Sequence, residues 1–451
     1  MTKIIDSFFK LKENKTSIRT EILAGITTFV TMAYILAVNP GMLSLTGMNA
    51  GAVFTATALA SAIATLLMGL WANYPIALSA GMGLNAYFTF TVCLGELKGI
   101  EDPWKIALTA VLAEGIVFLI LSFFKVRETL ITMIPLNLKY GITAGIGLFI
   151  GFVAFQQAGI IVSEPATLVT LGSFGHFPVI LCFIGVVVIT VLTHFRVRGA
   201  IILGIFSTWI LGIIAELTGL YTPTASLIPA FSMSNIIPPS ISTTFFAFNF
   251  TWIADNLIAF ISIAFALLFV DLFDTIGFVI GLADYAGFLD KKGNLPRAGR
   301  VLTSDAVGTV VGSVLGTSTV TSYMESSAGV SAGGKTGLTS VTTGLCFVLA
   351  LFLSPLFLAI PAFATAPALI FVAFNMSASI VKINFKDDIA DAIGGFFSFI
   401  MMPLTYSIAN GIMFGILFWV TIKVLTKKAK EIHPLLWVIS LLFVIRIISL
   451  A

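Results

Sequence analysis

Apolar runs of about 20 residues recur along nearly the whole chain, separated by short polar breaks that hold most of the lysines and arginines. About 20 residues is the length of a helix that crosses the hydrocarbon core of a bilayer. The pattern predicts seven spans near 22–38, 50–71, 76–93, 104–124, 135–155, 177–195 and 199–218. A break rich in Pro, Ser and Thr follows, with Pro223, Pro229, Pro238 and Pro239. Seven more spans fall near 254–281, 301–315, 319–333, 336–354, 361–380, 388–403 and 405–426. A last apolar stretch, 434–450, begins after His433-Pro434 and carries Arg446. It fits either a further span or a helix lying in the interface.

Composition agrees. Of 451 residues, 58% are hydrophobic and only 10% charged, against about 25% charged in a soluble domain. This excludes an ordinary cytosolic enzyme, a nucleic-acid binder and a disordered chain, which needs high charge and few apolar residues. The cysteines (Cys93, Cys182, Cys346) all sit in apolar runs and the histidines (His176, His194, His433) are scattered. Neither set has the spacing of a disulfide framework or a metal site, so no metal is expected. The polar, basic segment Met1 to Glu21 runs straight into a long apolar stretch, and no cleaved leader is expected.

The net charge of +3 gains meaning only when placed along the chain. With the N-terminus inside, 21 of the 24 Lys and Arg fall in inside segments, the exceptions being Lys98, Lys105 and Arg446. That is the positive-inside bias of membrane proteins. Seven spans per half is an odd number, so the second half enters upside down, the plan of an inverted repeat. Ile134-Pro135 and Ile360-Pro361 open the fifth and twelfth spans as a faint echo of it. The expected division is a cytoplasmic basic tail (1–21), a first seven-span repeat (22–218), an extracellular linker (219–253), a second inverted repeat (254–426) and a C-terminal basic segment with a membrane-associated helix (427–451).

A few acids lie inside the apolar runs: Asp271, Asp274, Asp305, Glu325, Glu114 and Glu216. A charge near the bilayer centre costs at least about 2.5 kcal/mol. No Lys or Arg lies in the spans of Asp271, Asp305 or Glu325 to offset it. Burial favours the protonated form of a carboxyl, which suits a proton carrier. The plainer reading, a protonated acid hydrogen-bonded to a neighbouring helix, fits Glu114 and Glu216 best. Spans three and ten are unlike their neighbours. The third has Gly81-Met82-Gly83-Leu84-Asn85, and the tenth, Gly316 to Gly334, is rich in Ser, Thr and Gly. Discontinuous spans in corresponding places of two halves point to a binding site. Tight packing through small residues is the competing explanation, and it suffices for Gly141/Gly145, Gly147/Gly151 and Gly308/Gly312/Gly316.

Two motif matches are refused. Gly329 to Thr336 fits the phosphate-binding loop pattern literally, but that loop needs a preceding strand and a soluble helix; Lys335 reads as an inside-facing loop charge. Asp271 and Asp274 lie only three apart on one helix, whereas a protease dyad is assembled from separate elements.

Several runs together resemble one known family. They are Ala80-Gly81-Met82-Gly83-Leu84-Asn85-Ala86-Tyr87-Phe88, Leu272-Phe273-Asp274-Thr275-Ile276-Gly277, and Gly316-Thr317-Ser318-Thr319 with Thr321-Ser322-Tyr323-Met324-Glu325-Ser326-Ser327. Met32-Ala33-Tyr34-Ile35, Leu295-Pro296-Arg297-Ala298-Gly299-Arg300 and Met401-Met402-Pro403-Leu404-Thr405-Tyr406 add to them. The chain resembles the azaguanine-type purine permeases of the type-2 nucleobase–cation symporters over nearly its whole length. The resemblance implies proton-coupled import of adenine, guanine or hypoxanthine across the plasma membrane. It implies an all-α polytopic fold of about fourteen spans in two inverted sevens, with core and gate domains and short extended stretches in spans three and ten. By motif position Asp271, Asp305 and Glu325 take the family's intramembrane polar places, and Asn85 its span-three asparagine. The chain departs at Phe278, where Thr is expected, and at Ile393-Gly394-Gly395, which lacks an expected Pro.

The chemistry fits. A purine is flat, neutral and edged with N–H donors and ring acceptors, and a carboxylate accepts from two N–H groups at once. Glu325 and Asp271 supply that reach; Asn85 and Thr321 add polar contacts, and Tyr323, Phe273 or Phe278 can stack on the ring. A neutral substrate needs a titrating group for coupling, and Asp271, Asp305 and Glu325 are the candidates. No cofactor is expected beyond the proton gradient. The partners are the purine nucleobase, protons and membrane lipid; nucleic acid is not one, and a homodimer is left open. The rivals are an anion (sulfate-type) carrier of the same fold, which would want a positive site, a channel, and an intramembrane enzyme, which would want a nucleophile–base pair or a metal set.

Overall fold

The structure, a computed structural model, describes residues 2–123, 135–223, 226–229, 237–288 and 295–450. Lys125, Arg127, Lys291 and Lys292, and the side chains of Phe273, Asp274 and Arg446, lie outside it. Among the described residues nine helices are long and apolar enough to cross a bilayer, from Ile18–Thr46 to Ile408–Leu425, and two shorter apolar helices are Leu257–Leu272 and Ile389–Leu404. The chain is a mostly helical, multi-pass membrane protein.

The two unusual spans are not single helices. The third predicted span is a strand β1 (Leu78–Ala80), a short helix Met82–Ala86 and a wider π-helical run Tyr87–Glu96. The tenth is a strand and the short helix Ser326–Ser331. Between these spans the chain forms an exposed hairpin, β2 (Ile161–Glu164) with β3 (Leu168–Leu171), where no element was predicted. The tenth-span strand, β4 (Val320–Ser322), pairs antiparallel with β1: Leu78 lies opposite Ser322, Ser79 opposite Thr321 and Ala80 opposite Val320. Gly81 N–H donates to Thr319 O at 3.0 Å, and Tyr323 N–H donates to Ala77 O at 3.0 Å, so the ladder runs one step past each end.

Local chemistry explains the break. The helix Ala298–Leu315 stops at Gly316, whose φ of +100° is left-handed and favours glycine. The β-branched run that follows fits an extended strand better than a helix. An exposed ribbon edge cannot stand in hydrocarbon, because each unpaired backbone group there costs several kcal/mol. Hydroxyls cover these edges. Thr65 Oγ1 donates to Leu78 O (3.0 Å) and accepts from Leu78 N–H (2.9 Å). Thr309 Oγ1 donates to Val320 O at 2.8 Å. A side-chain contact, Ser61 Oγ with Ser79 Oγ at 2.7 Å, ties β1 to the helix Ala50–Leu67.

The helices sort into two packed groups. Ala50–Leu67 lies against β1 and Ala298–Leu315 against β4, with Ile18–Met32, Pro103–Phe123, Leu257–Tyr285 and Gly337–Ala350 around them. The second group joins Leu136–Gln157, Phe177–His194, Ala200–Leu217, Ala362–Ser377, Ile389–Leu404 and Ile408–Leu425. Within it, a Cβ at Gly141 would run into the backbone of Gly395, so these two helices meet through bare glycines.

Candidate functional site

A cavity of about 140 Å³ opens where the two groups face each other. From the ribbon side it is lined by Tyr34, Gly81, Met82, Gly83, Phe278, Thr321, Ser322, Tyr323, Met324 and Glu325. Thr143, Ile201, Val372, Asn375, Met376 and Ser379 form the facing wall. The broken backbone puts the polar groups there. Tyr323 closes the ribbon, and its hydroxyl donates to Ala80 O across it. Glu325 stands just ahead of the short helix Ser326–Ser331, with its carboxylate turned away from capping. Tyr34 sits at the break between the helices Ile18–Met32 and Ile35–Leu43, and its hydroxyl donates to Glu325 Oε1 at 2.7 Å. A carboxylate has sites for further donors beyond this one.

A second volume of about 710 Å³ shares Ile201, Met324, Glu325 and Asn375 with the first, and adds Thr31, Arg196, Arg198, Ser327 and Ser331. Glu325 therefore stands at the junction of the two spaces.

Of the residues the sequence singles out, Glu325, Tyr323, Thr321 and Phe278 line the cavity. Asn85, Asp271 and Asp305 do not line it; all three are fully buried behind the ribbon. Thr275 joins this hidden group to the wall. Its hydroxyl donates to Asp305 Oδ2 (2.8 Å), lies 3.4 Å from Asp271 Oδ1, and meets Thr321 Oγ1 at 2.7 Å. Ser322 Oγ donates to Asp305 Oδ1 at 3.0 Å. Asn85 Oδ1 accepts from Ser318 Oγ, tying the short helix of the third span to the approach of β4.

Sequence reasoning gave no role to Tyr34, although Tyr34 lies in one of the recognised runs, nor to Thr143, Asn375 and Ser379. Asn375 could have been flagged as a lone amide in an apolar helix. Glu216 has a structural job: its carboxylate accepts from Leu227 N–H at 2.9 Å. The refused phosphate-loop match has a physical explanation. The N–H groups of Lys335 and Thr336 do hold an anion, the buried carboxylate of Glu21, at 3.0 and 3.2 Å, and Thr339 Oγ1 donates to it at 2.6 Å.

Comparison with known proteins places this architecture. The profile of one family, described as a permease family, matches residues 19–414. The chain belongs to that permease family. The adenine permease AdeP of Escherichia coli (strain K12) is 38% identical, over 99% of this chain and 96% of that relative. The guanine/hypoxanthine permease PbuG of Bacillus subtilis (strain 168) is 43% identical, over 98% of this chain and 99% of that relative. The resemblance to the purine permeases seen in the sequence runs is thus borne out, and the permease is a transporter rather than an enzyme. In fold it is similar to the transmembrane domain of the bicarbonate transporter BicA of a cyanobacterium, with a TM-score of 0.65 at 15% identity, covering 87% of this chain and 96% of that one.

Proposed function

We propose that this permease imports purine nucleobases, adenine or guanine and hypoxanthine, together with protons. The observation that carries the reading is the Glu325–Tyr34 pair, set beside Tyr323 and Phe278 at the meeting of two broken spans. The pair offers a carboxylate to purine N–H groups and an aromatic face to the ring. The relatives named for adenine and for guanine/hypoxanthine support the same substrate class. Coupling falls to Asp271, Asp305 and Glu325. Asn85 acts from behind, through Ser318 and the register of the ribbon.

The rest of the reading follows the sequence. Fourteen spans form two inverted sevens, the ribbon group acting as core and the facing group as gate, with 1–21 and the basic segment 427–433 on the cytoplasmic side of the plasma membrane, 219–253 outside, and 434–450 a membrane-associated helix. Two features support it: β1 and β4 are each followed by a short helix, and these two strands run antiparallel. The proton gradient is the only energy source, with no cofactor.

The test is uptake of labelled adenine, guanine, hypoxanthine, uracil, sulfate and bicarbonate into vesicles, with and without an imposed proton gradient. Gradient-driven uptake of a purine is expected. Anion uptake without purine uptake overturns the substrate class. Purine uptake indifferent to the gradient overturns the coupling.

A further inference from the structure

Glu114 lies in the middle of the helix Pro103–Phe123, is 1% exposed and does not line the cavity. Its side chain is hydrogen-bonded to that of Asp271 on the neighbouring helix Leu257–Tyr285. Glu114 Oε1 and Asp271 Oδ2 are buried and meet no other donor among the described residues. An ionised carboxylate only accepts, so two carboxyl groups in hydrogen-bond contact need a proton between them. Two bare carboxylates held together in a low dielectric would repel strongly.

The other groups around the pair are few. Asp305 comes from Ala298–Leu315, which packs on the same helix, and the packed run Tyr87–Glu96 carries Tyr87, Cys93 and Glu96. On Glu114's own helix, Lys105 is about two and a half turns away and is engaged by Asp102 at 2.6 Å. No cation is among the partners of Glu114 or Asp271 given by the described residues.

The pair is wired to the ribbon at both ends. Thr319, which leads into β4, donates to Glu114 Oε2 at 3.1 Å. On the other side Thr275 connects Asp271 to Thr321 within β4. Tyr323 and Glu325 follow β4 in the chain and line the cavity.

We propose that Glu114 and Asp271 share one proton, and that Glu114 is the positioning residue that couples this proton to the β4 segment at the substrate cavity. Passing the proton from the Glu114 carboxyl to the Asp271 carboxyl breaks one O–H bond, forms another and leaves the total charge unchanged. Losing it puts two negative charges in contact, and the relief available is to shift Thr319, which is bonded to Glu114, and Thr321, which Thr275 links to Asp271. The proposal rests on the proton-driven purine reading for its role in coupling, while the shared proton stands on the geometry alone.

Three measurements test it, with the full-length protein in vesicles or detergent. The purified wild-type protein at neutral pH is expected to show the infrared carbonyl stretch of a protonated carboxyl; its absence overturns the shared proton, whichever variants fold. Glu114→Gln is expected to lose accumulation of purine above the equilibrium level and to change the pH profile of uptake, while exchange of labelled for unlabelled purine declines less. Accumulation and a pH profile like the wild type's overturn the coupling role. If Glu114→Gln does not reach the membrane, Thr319→Val keeps both acids and removes one tie to the ribbon; it is expected to shift the pH profile, and an unshifted profile overturns the proposal. A wild type whose purine uptake ignores the gradient defeats the broader proton-driven reading, and with it the coupling role of Glu114, leaving the infrared result to judge the shared proton.

Discussion

The acids behind the cavity and the acids around Lys423 face one problem, negative charge in a largely apolar molecule, and answer it in opposite ways. Lys423, near the end of the helix Ile408–Leu425, is 5% exposed in its side chain and lies 2.9 Å from Asp388, 3.4 Å from Asp391 and 2.7 Å from Glu431. Lys428 reaches Asp388 at 2.8 Å. Asp388 also caps the helix Ile389–Leu404 through Ala390 N–H at 2.9 Å. Lys428 beside Asp388 holds its carboxyl well below the usual carboxylate range; partial burial opposes this, and Lys423 and the capping amides add to it. Behind the cavity, Asp271 and Glu114 have hydroxyls and each other as partners. Acids matched with cations are fixed in charge and fasten helix ends. Acids matched with hydroxyls and with one another keep the option of gaining or losing a proton, which is what coupling requires.

Substitutions that preserve shape and remove charge break the comparison most sharply at the cavity. Glu325→Gln is expected to abolish purine uptake while the protein still reaches the membrane, because the amide loses the charge and replaces one acceptor oxygen with an NH2 that can only donate toward the purine N–H groups. Uptake normalised to membrane-inserted protein measures it, and uptake at the wild-type level would remove Glu325 from the site. Asp271→Asn comes next. The amide cannot titrate, so residual uptake should no longer respond to an uncoupler. An uncoupler-sensitive Asp271→Asn moves the coupling to Asp305.

At Lys423 the expected loss is in stability. Removing one partner of a buried ion pair costs about 3–5 kcal/mol. Here the Asp388 and Glu431 side chains are 22% and 54% exposed, so solvent screening reduces the expectation for Lys423→Met to about 1–2 kcal/mol. Thermal unfolding of the detergent-solubilised protein should start a few degrees lower, with uptake per folded molecule unchanged. The pH dependence has a definite sign. A depressed carboxyl contributes stability that is fully present above its unfolded value of about 3.9 and fades as pH falls below it. The gap between wild type and Lys423→Met should hold between about pH 5 and 8 and narrow only in stronger acid. A gap that closes near neutrality would mean that another group titrates there.

The same contrast shows what the residue order could reveal. The long helices were legible because a 20-residue apolar window has one common use. The breaks in the third and tenth spans were legible because Gly81, Gly83 and the Gly316-to-Thr319 run suit a helix interior poorly. The pairing of Leu78–Ala80 with Val320–Ser322 was not, since two three-residue strands far apart in the chain leave no periodicity to read. Asn85 was legible as a polar group in an apolar span, but only packing decides that its amide oxygen meets Ser318 and not the cavity. Glu114 and Glu216 look alike in sequence, each a single acid in an apolar run. One meets Asp271 and the other a loop amide, a difference set entirely by which helix lies alongside.

The smallest effect is expected at Lys335, and it bears on the comparison because Glu21 is a third kind of buried acid, one held by backbone. Its two oxygens take the N–H groups of Lys335 and Thr336, and Thr339 adds a hydroxyl. The anion place of the loop is thereby filled from within the chain, and a nucleotide phosphate would have to displace a carboxylate that is 0% exposed. The Lys335 side chain is exposed and takes no part in this arrangement, which uses its backbone N–H. Lys335→Ala keeps that N–H. It should change stability by no more than about 0.5 kcal/mol, as for surface positions generally, and leave uptake nearly intact. ATP depletion at a clamped proton gradient should do as little. Glu21→Ala, in contrast, strands two buried N–H groups at roughly 1–3 kcal/mol each and should lower the yield of folded protein. A direct ATP requirement in sealed vesicles, or a Lys335→Ala defect as severe as that of Glu21→Ala, would show that the loop does more than bind its own glutamate.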